Sequence, residues 1–514
     1  MANTSKDNLF ILIKSLSPSE KRQFKLYANR LDVNVNAKFL LLFSLLEKMS
    51  DYNELEILNS KVVTKMQLSN LKAHLYKQIL ISLRMNPVNQ NIRILIREQL
   101  DFATILYHKG LYKQSLKILE KVKVIALENE EKNIASEIVE LEKIIESQYI
   151  TRSISSRADE LTIQAKELSK QNVIASKLSN VSLQLYAIML KSGYAKSEME
   201  MDIITQYFES KLPRYSISEL GFREKLWLYK AHLWHSFLIQ DFLSCFKYAT
   251  KWVDLFYTNP KMIHINPIWY IKGVNYLLEC LYLIKHKTFF KETLEKFEKT
   301  IQLETFPNND NIIIQTFLCR YNSKFNLHFL SGNFDEGLYL VKDVLKELKS
   351  KEDKIDEHHV MVFYYKIACL YFGLGQNLKC IEFLQKIIEN KNLSMREDLM
   401  CFARVLSLIA HYEAGLDYKL DVQLKSTYKF LLKMNDLHEV QREMIKFLRN
   451  LGSIYPNELK GEFIKLHTRL KQYENHPYEK RAFLYLDILS WLESKINNKT
   501  ILGIIQEKAL NNIR

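Results

Sequence analysis

The chain of 514 residues carries a formal net charge of +14, and 47% of its residues are hydrophobic. Its 12 glycines and 8 prolines are about a third of the usual share, which favours long helices joined by short connections. The composition therefore predicts an all-α protein with enough apolar residues for a sizeable core, and it argues against a fold rich in strands.

The positive charge is a weak indication of nucleic-acid binding. Of the 73 basic residues only 17 are arginine, the side chain that pairs best with phosphates and guanines. Residues 1–100 nevertheless hold 15 basic and 8 acidic residues, half of the net excess. A nucleic-acid partner is possible on this evidence but not favoured.

Six cysteines are widely spaced and form no CxxC pair, as expected of reduced thiols in a cytoplasmic protein. The apolar run from Leu9 to Ile13 is too short for a signal peptide. No stretch approaches the roughly 18 apolar residues that a membrane span requires. We expect a cytoplasmic protein without a membrane segment.

Residues 1–95 are predicted to form a separate, basic helical region. The sequence Ser17-Pro18-Ser19-Glu20 is typical of a helix start, and a helix is expected through about Tyr27. Two further helices are expected, around Phe39–Leu46 and Leu68–Leu83. Four basic residues lie in the last of these: Lys65, Lys72, Lys77 and Arg84. A recognition helix of a helix-turn-helix has such charges, and so does the solvated face of an ordinary helix.

Helical hairpins are predicted over residues 96–434. In the stretch from Met361 to Asn392, apolar and small residues recur at helical spacing on both sides of Gly375. Similar patterns surround Gly110 and Gly332. Weaker copies place further turns near Arg152, Gly193, Gln240, Thr288 and Gly415, which gives about eight hairpins with a period of 40–48 residues.

These hairpins resemble tetratricopeptide repeats, whose small residues let two helices approach closely. The resemblance implies a right-handed α-solenoid, although the period exceeds the 34 residues of the standard repeat. The whole chain, with its SPSEKRQFKLYA stretch, is also similar to an uncharacterised group of bacterial helical-repeat proteins. That likeness implies no activity.

Residues 435–514 are predicted to be capping helices. Asp436 with Glu439 suggests one helix start, Pro456 lies at the start of the next helix, and Pro477 with Glu479 marks the last. The final helix is expected to cover the exposed end of the solenoid. It runs through Phe483, Leu486, Leu489 and Trp491.

Motifs of enzyme chemistry are missing from the sequence. It contains no GxxxxGK[ST], GxSxG or HExxH. His232 and His235 have a spacing that suits a metal, but no third ligand stands at a recognisable distance. We therefore expect no enzyme activity, no cofactor and no metal site.

The resemblance also places the first helix of each hairpin on a concave, partner-binding side. Counting back from the turns assigns seven residues to this side: Asn322, Asn326, Trp227, Lys230, Trp234, Tyr365 and Phe372. Asparagine is a poor helix former whose amide can both donate and accept, so the pair suits an extended peptide backbone. An asparagine-rich composition is the simpler explanation of the pair, and aromatic residues at this density are more often part of a core.

The sequence thus favours a non-enzymatic scaffold that binds a protein or peptide, and the lysine among the aromatic residues suggests an acidic segment. The alternative is a transcriptional regulator with a DNA-binding region in residues 1–95 and a solenoid that senses a peptide or forms a dimer. The sequence does not determine the oligomeric state.

Overall fold

The computed structural model describes most of the chain and is helical throughout the described residues. These are residues 7–30, 33–86, 91–148, 156–390, 397–433, 439–450, 454–455, 457–476, 483 and 487–511. The chain divides into two compact units, Met1–Ser169 and Lys170–Arg514. The predicted boundary after residue 95 falls within the first unit.

The described residues of the first unit form eight α-helices and the start of a ninth. Ser17 and Glu20 form the predicted cap, because the Glu20 N–H donates to Ser17 Oγ at 3.3 Å and the Ser17 N–H donates to Glu20 Oε2 at 2.8 Å. The helices are α1 (Asn8–Ser15), α2 (Pro18–Ala28), α3 (Val33–Lys48), α4 (Glu54–Asn59), α5 (Lys65–Met85), α6 (Ile92–His108), α7 (Tyr112–Glu128) and α8 (Lys132–Gln148). The three helices predicted in residues 1–95 are confirmed with slightly longer bounds as α2, α3 and α5, whereas α1 and α4 were not predicted.

Helices α1, α2, α3 and α5 share one core, and α6, α7 and α8 share another. In the second core, fully buried Glu142 receives a hydrogen bond from Lys123 Nζ at 2.6 Å and pairs with Arg157 at 3.3 Å. Two cations balance the buried carboxylate, as a buried charge requires. Helix α9 (Ser156–Ser192) carries Arg157 and contains the boundary between the two units.

The second unit continues with paired helices along the chain. A short 3-10 helix, Ile217–Glu219, precedes α11. The α-helices are α10 (Glu198–Lys211), α11 (Phe222–Leu238), α12 (Phe242–Thr258), α13 (Lys261–Ile265), α14 (Pro267–Leu283), α15 (Lys287–Ile301), α16 (Asp310–Ser331), α17 (Phe334–Ser350), α18 (Glu357–Gly373), α19 (Asn377–Ile388), α20 (Glu397–Glu413), α21 (Asp417–Lys433), α22 (Glu439–Asn450), α23 (Leu459–Lys471), α24 (Ile488–Asn497) and α25 (Ile501–Asn511).

Left-handed residues mark most of the predicted turns. They include Gly110, Gly193, Gly332, Gly375 and Gly415, all with φ between 67° and 73°. Glycine adopts this conformation without the steric cost that a Cβ imposes. The turn assigned to Gln240 is also confirmed, with φ 58°.

Two turns differ from prediction. The turn expected near Thr288 lies at Lys285, with φ 57°, because α15 already begins at Lys287. Glu130, with φ 60°, forms an additional turn between α7 and α8 that the sequence did not indicate. The turn predicted near Arg152 lies outside the described residues.

Successive hairpins pack on one another. Helix α14 contacts α12, α15 and α16, and α16 contacts α17 and α18; α18 in turn contacts α19 and α20. The fit is close where small residues meet large ones: a Cβ on Gly273 of α14 would lie 2.7 Å from Trp252 Cδ1 of α12. Each hairpin therefore completes the core of its neighbours.

The C-terminal helices differ from the expected cap. The predicted last helix is α24, which begins at Ile488 and contains fully buried Trp491, and a further helix follows it. Asn498, left-handed at φ 53°, ends α24, and α25 then packs against α16. The Gln506 Nε2 donates to the Gly332 carbonyl at 3.0 Å. Leu486, Asp436, Pro456, Pro477 and Glu479 lie outside the described residues.

One helix among the described residues, α9, is long and apolar enough over residues 156–191 to cross a membrane by length and composition. Such a segment was not expected from the sequence, and a third of its apolar 18-residue window is buried inside the protein. Leu178, Val181 and Leu185 of this helix are buried in the hydrophobic cores of the second unit. The core helix of a soluble protein meets the same test.

Candidate functional site

One face of the second unit combines aromatic rings with partly buried lysines. It is formed by the first helices of successive hairpins, α11, α14, α16 and α18. We call it the aromatic–lysine face and define it by Trp227, Lys230, Trp234, Trp269, Tyr276, Asn322, Asn326 and Lys366. Helix α11 buries residues on more than one side, as expected for a helix packed between neighbours.

A chain of ring contacts joins the two ends of α11 to α14. The rings of Trp227 and Trp269 meet edge to face at 4.9 Å, and those of Trp234 and Tyr276 at 5.7 Å. Trp252 lies between these pairs, 6.1 Å from Trp269 and 5.7 Å from Tyr276. Its indole N–H donates to the Trp269 carbonyl at 3.1 Å. The rings are therefore held in fixed positions by one another and by the backbone.

Lys230 is held against two of these rings. Its Nζ lies 4.7 Å from the ring centre of Trp227 and 5.0 Å from that of Trp269, within the range of cation–π attraction. It forms no hydrogen bond or ion pair with any residue that the structure describes. Burial and the positive charge of Lys272 lower the pKa of Lys230 to about 8.

Lys366 joins the two predicted asparagines. Its Nζ donates to the Asn322 carbonyl at 3.1 Å and to Asn326 Oδ1 at 2.8 Å. Burial lowers its pKa to about 8, and nearby Glu279 opposes this shift. Within the described residues Lys366 has neutral oxygens as hydrogen-bond partners but forms no ion pair with a carboxylate.

Two polar atoms of this face are buried without a hydrogen bond to the described protein. They are the indole Nε1 of Trp234, a donor, and Oδ1 of Asn322, an acceptor. Trp234 as a whole is 8% exposed. An unsatisfied buried polar group costs free energy, and the burial of both atoms keeps them out of reach of a partner in this structure.

The structure gathers five of the seven predicted site residues on this face. Trp227, Lys230 and Trp234 lie together on α11, and Asn322 and Asn326 lie on α16. Tyr365 and Phe372 are only 4% and 5% exposed and belong to the core around α18, so the interpretation of these two as surface residues is wrong. The residue of α18 that reaches the asparagines is Lys366, one position after Tyr365.

Sequence reasoning also missed Trp269 and Tyr276. The sequence assigned no residue of α14 to the concave side. Even with the turn at Lys285, the offsets used for the Gln240 hairpin lead to Lys272, Asn275 and Glu279 rather than to Trp269 or Tyr276. Only packing shows which residues of α14 meet α11.

His232 and His235 pack on aromatic rings. The His235 ring stacks on Phe208 at 4.3 Å, and the His232 ring stacks on Tyr248 at 4.3 Å. His235 Nε2 shares a hydrogen bond of 3.1 Å with Thr205 Oγ1. In the part of the chain that the structure describes, no group of three His, Cys, Asp or Glu residues is placed to hold a metal ion.

Two of the four cations on α5 have partners within the first unit. Lys72 pairs with Asp7 and donates to the Tyr52 hydroxyl at 2.9 Å, and Arg84 pairs with Asp101 at 3.1 Å. Lys65 and Lys77 are exposed. The pairing of Lys72 and Arg84 reduces the charge that α5 offers to DNA phosphates.

A cleft of about 520 Å³ lies elsewhere in this unit, between the end of α15, the start of α16 and the end of α17. Its basic residues are largely paired: Arg320 Nε donates to Glu298 at 2.6 Å, and Lys351 pairs with Glu347. We assign no ligand to this cleft.

No protein family, curated protein or solved structure matches this chain. The argument for function therefore depends on the geometry of the site.

Proposed function

We propose that this chain is a non-enzymatic scaffold in which tetratricopeptide-like hairpins stack as a right-handed α-solenoid and bind a protein or peptide. Sequential packing of the hairpins from α11 to α21 supports the repeat arrangement. Six free cysteines, five of them buried, are consistent with the reducing environment of the cytoplasm.

The aromatic–lysine face is the proposed binding surface, and an acidic segment is the proposed partner. The observation that carries this assignment is that Lys230 and Lys366 are both partly buried there without an ion-paired carboxylate among the described residues. A partly buried ammonium without a counter-charge is costly. Glu279 lies near enough to Lys366 to offset part of that cost, whereas no carboxylate in the described part of the chain acts on Lys230, and a carboxylate of a partner further stabilises both charges.

Two rings on the same face suit the rest of a peptide. Trp227 and Trp269 are partly exposed and offer apolar area, and tryptophan is a frequent anchor residue of interfaces. The pairing of Lys72 and Arg84 within the first unit favours this proposal over DNA binding.

The test is selection of binders from a random library of displayed 12-residue peptides with the full-length chain. We expect the selected peptides to be rich in Asp and Glu. A Lys230→Met, Lys366→Met double variant should bind the best of them at least tenfold more weakly, about 1.4 kcal/mol, by fluorescence anisotropy. Lys342→Met on the exposed side of α17 is the matched control and should bind like the wild type.

The affinity for acidic peptides should also fall as the pH is raised from 7 to 9, since both lysines lose their charge near pH 8. Selected peptides without acidic residues, or equal binding by the double variant, would contradict the proposal. Tight binding of duplex DNA that falls steeply with salt would support the regulator instead.

A further inference from the structure

Lys230 and Lys366 have similar pKa values but different surroundings. The Lys366 amine donates two hydrogen bonds to the asparagines of α16. The Lys230 amine lies against two indole rings and has no hydrogen-bond partner among the described residues. It is partly exposed, so a small molecule can reach it. Its nitrogen is free to form a bond, whereas that of Lys366 is already held.

The surroundings of Lys230 match those that activate a lysine as a nucleophile. Such lysines are desolvated in an apolar site or lie next to another cation, and both conditions are met here, by the two indoles and by Lys272. Near pH 8, about half of the Lys230 side chains carry the neutral amine.

We propose that Lys230 is a covalent ligand site that forms an imine with an aromatic aldehyde bearing an anionic group. The indoles of Trp227 and Trp269 provide a surface on which an aromatic ring stacks. Lys272 is exposed, and its positive charge acts on Lys230, so Lys272 attracts the anionic group of the aldehyde.

The reaction needs no oxidant or reductant. The lone pair of the Lys230 nitrogen attacks the carbonyl carbon, which forms a C–N bond and a carbinolamine. The carbonyl oxygen then leaves as water with the two protons lost from the nitrogen, and a C=N bond remains. The adduct is stoichiometric and reversible, so it is compatible with a protein that is not an enzyme. It does not depend on peptide binding.

The experiment uses pyridoxal 5′-phosphate as the probe, at substoichiometric concentration and pH 8, with cyanoborohydride to fix the imine. Peptide mapping of the full-length protein by mass spectrometry should find Lys230 labelled at least tenfold more than the average lysine, and Lys366 essentially unlabelled. Because Lys230 and Lys366 both have a pKa near 8, this contrast tests the geometry rather than basicity alone.

Two variants complete the test. Lys230→Arg keeps the positive charge but removes the nucleophile and should abolish the preferred label, whereas Lys342→Arg should leave it unchanged. Lys272→Met should slow labelling by pyridoxal 5′-phosphate more than labelling by pyridoxal, which lacks the phosphate. Labelling spread over surface lysines, or concentrated on Lys366, would overturn the proposal. This outcome is measured on the wild-type protein, so it stands even if a variant fails to fold.

Discussion

At the scale of single residues, partly buried histidines link the stability of the second unit to pH. His232 of α11 stacks on Tyr248, and Phe208 approaches the same ring edge to face at 5.0 Å. Burial, with the neighbouring His235, Lys251 and Lys247 as smaller causes, lowers the pKa of His232 to about 4. Burial lowers the pKa of His235 as well.

The sign of the pH effect follows from where the proton binds. Below about pH 6.5 the unfolded chain protonates His232, while the folded protein does so only near pH 4. The unfolded state therefore binds more protons, and the free energy of unfolding falls as the pH falls through this window.

We expect His232 to lower the free energy of unfolding by up to about 2 kcal/mol when the pH falls from 7 to 5. His232→Phe, which keeps an aromatic ring, should remove most of that loss. The measurement is urea unfolding at both pH values. The control is His264→Phe, at an exposed position, which should keep the wild-type pH dependence. An equal loss in His232→Phe and the wild type would show that other groups carry the effect.

At the scale of elements, the approach of two helices depends on single small residues. Gly273 of α14 faces the indole of Trp252, which is fully buried on α12. Trp252 cannot move easily, because its N–H is bonded to the Trp269 carbonyl. This hydrogen bond also holds the Trp252 ring against the rings of Trp269 and Tyr276, which belong to the aromatic–lysine face.

Gly273→Ala should therefore destabilise the protein by about 1–3 kcal/mol, as overpacking of a core does. Gly461→Ala on α23 is the matched control, because no atom lies within 4 Å of the added Cβ. There the change should stabilise by about 0.5–1 kcal/mol, since alanine is the better helix former.

Thermal unfolding followed by circular dichroism distinguishes the two alanine variants. Combining Gly273→Ala with Trp252→Phe should cost less than the sum of the single changes, because the smaller ring leaves room for the methyl group. Additive losses would show that the two side chains do not compete for the same space.

At the scale of the whole molecule, distant parts of the chain stabilise one another. Helix α25 packs on α16, and Gln506 and Gly332, joined by a hydrogen bond, are 174 positions apart. Glu413 at the end of α20 likewise accepts from Trp491 Nε1 at 2.7 Å and from Lys495 Nζ at 2.5 Å. The C-terminal helices thus stabilise hairpins whose residues lie much earlier in the sequence.

Ile504 and Leu510 allow a matched test, because both lie on α25 but are 3% and 68% exposed. Ile504→Asp buries a charge and should detach α25, whereas Leu510→Asp should have little effect. Hydrogen exchange with mass spectrometry should then show lost protection at the end of α16 and around Gly332 in the first variant only. Unchanged protection there would mean that α25 does not stabilise this hairpin.

The sequence by itself determined the helical class, the N-terminal cap of α2 and most of the turns, because these depend on local interactions. The Ser17 and Glu20 cap involves residues three positions apart, and a glycine turn needs only the freedom of one residue. The Lys285 turn was placed three residues late and the Glu130 turn was missed, because without a glycine the turn residue itself carries no local signal and its position must be judged from the flanking pattern.

Only the tertiary structure decided which side of each helix forms the site. Lys366 and Asn326 are 40 positions apart, and their contact depends on how α18 lies against α16. A shift of one position exchanges buried Tyr365 for Lys366, since neighbouring residues on a helix point about 100° apart. The placement of α25 on α16 has the same origin: long-range packing selects among faces that local periodicity leaves equivalent.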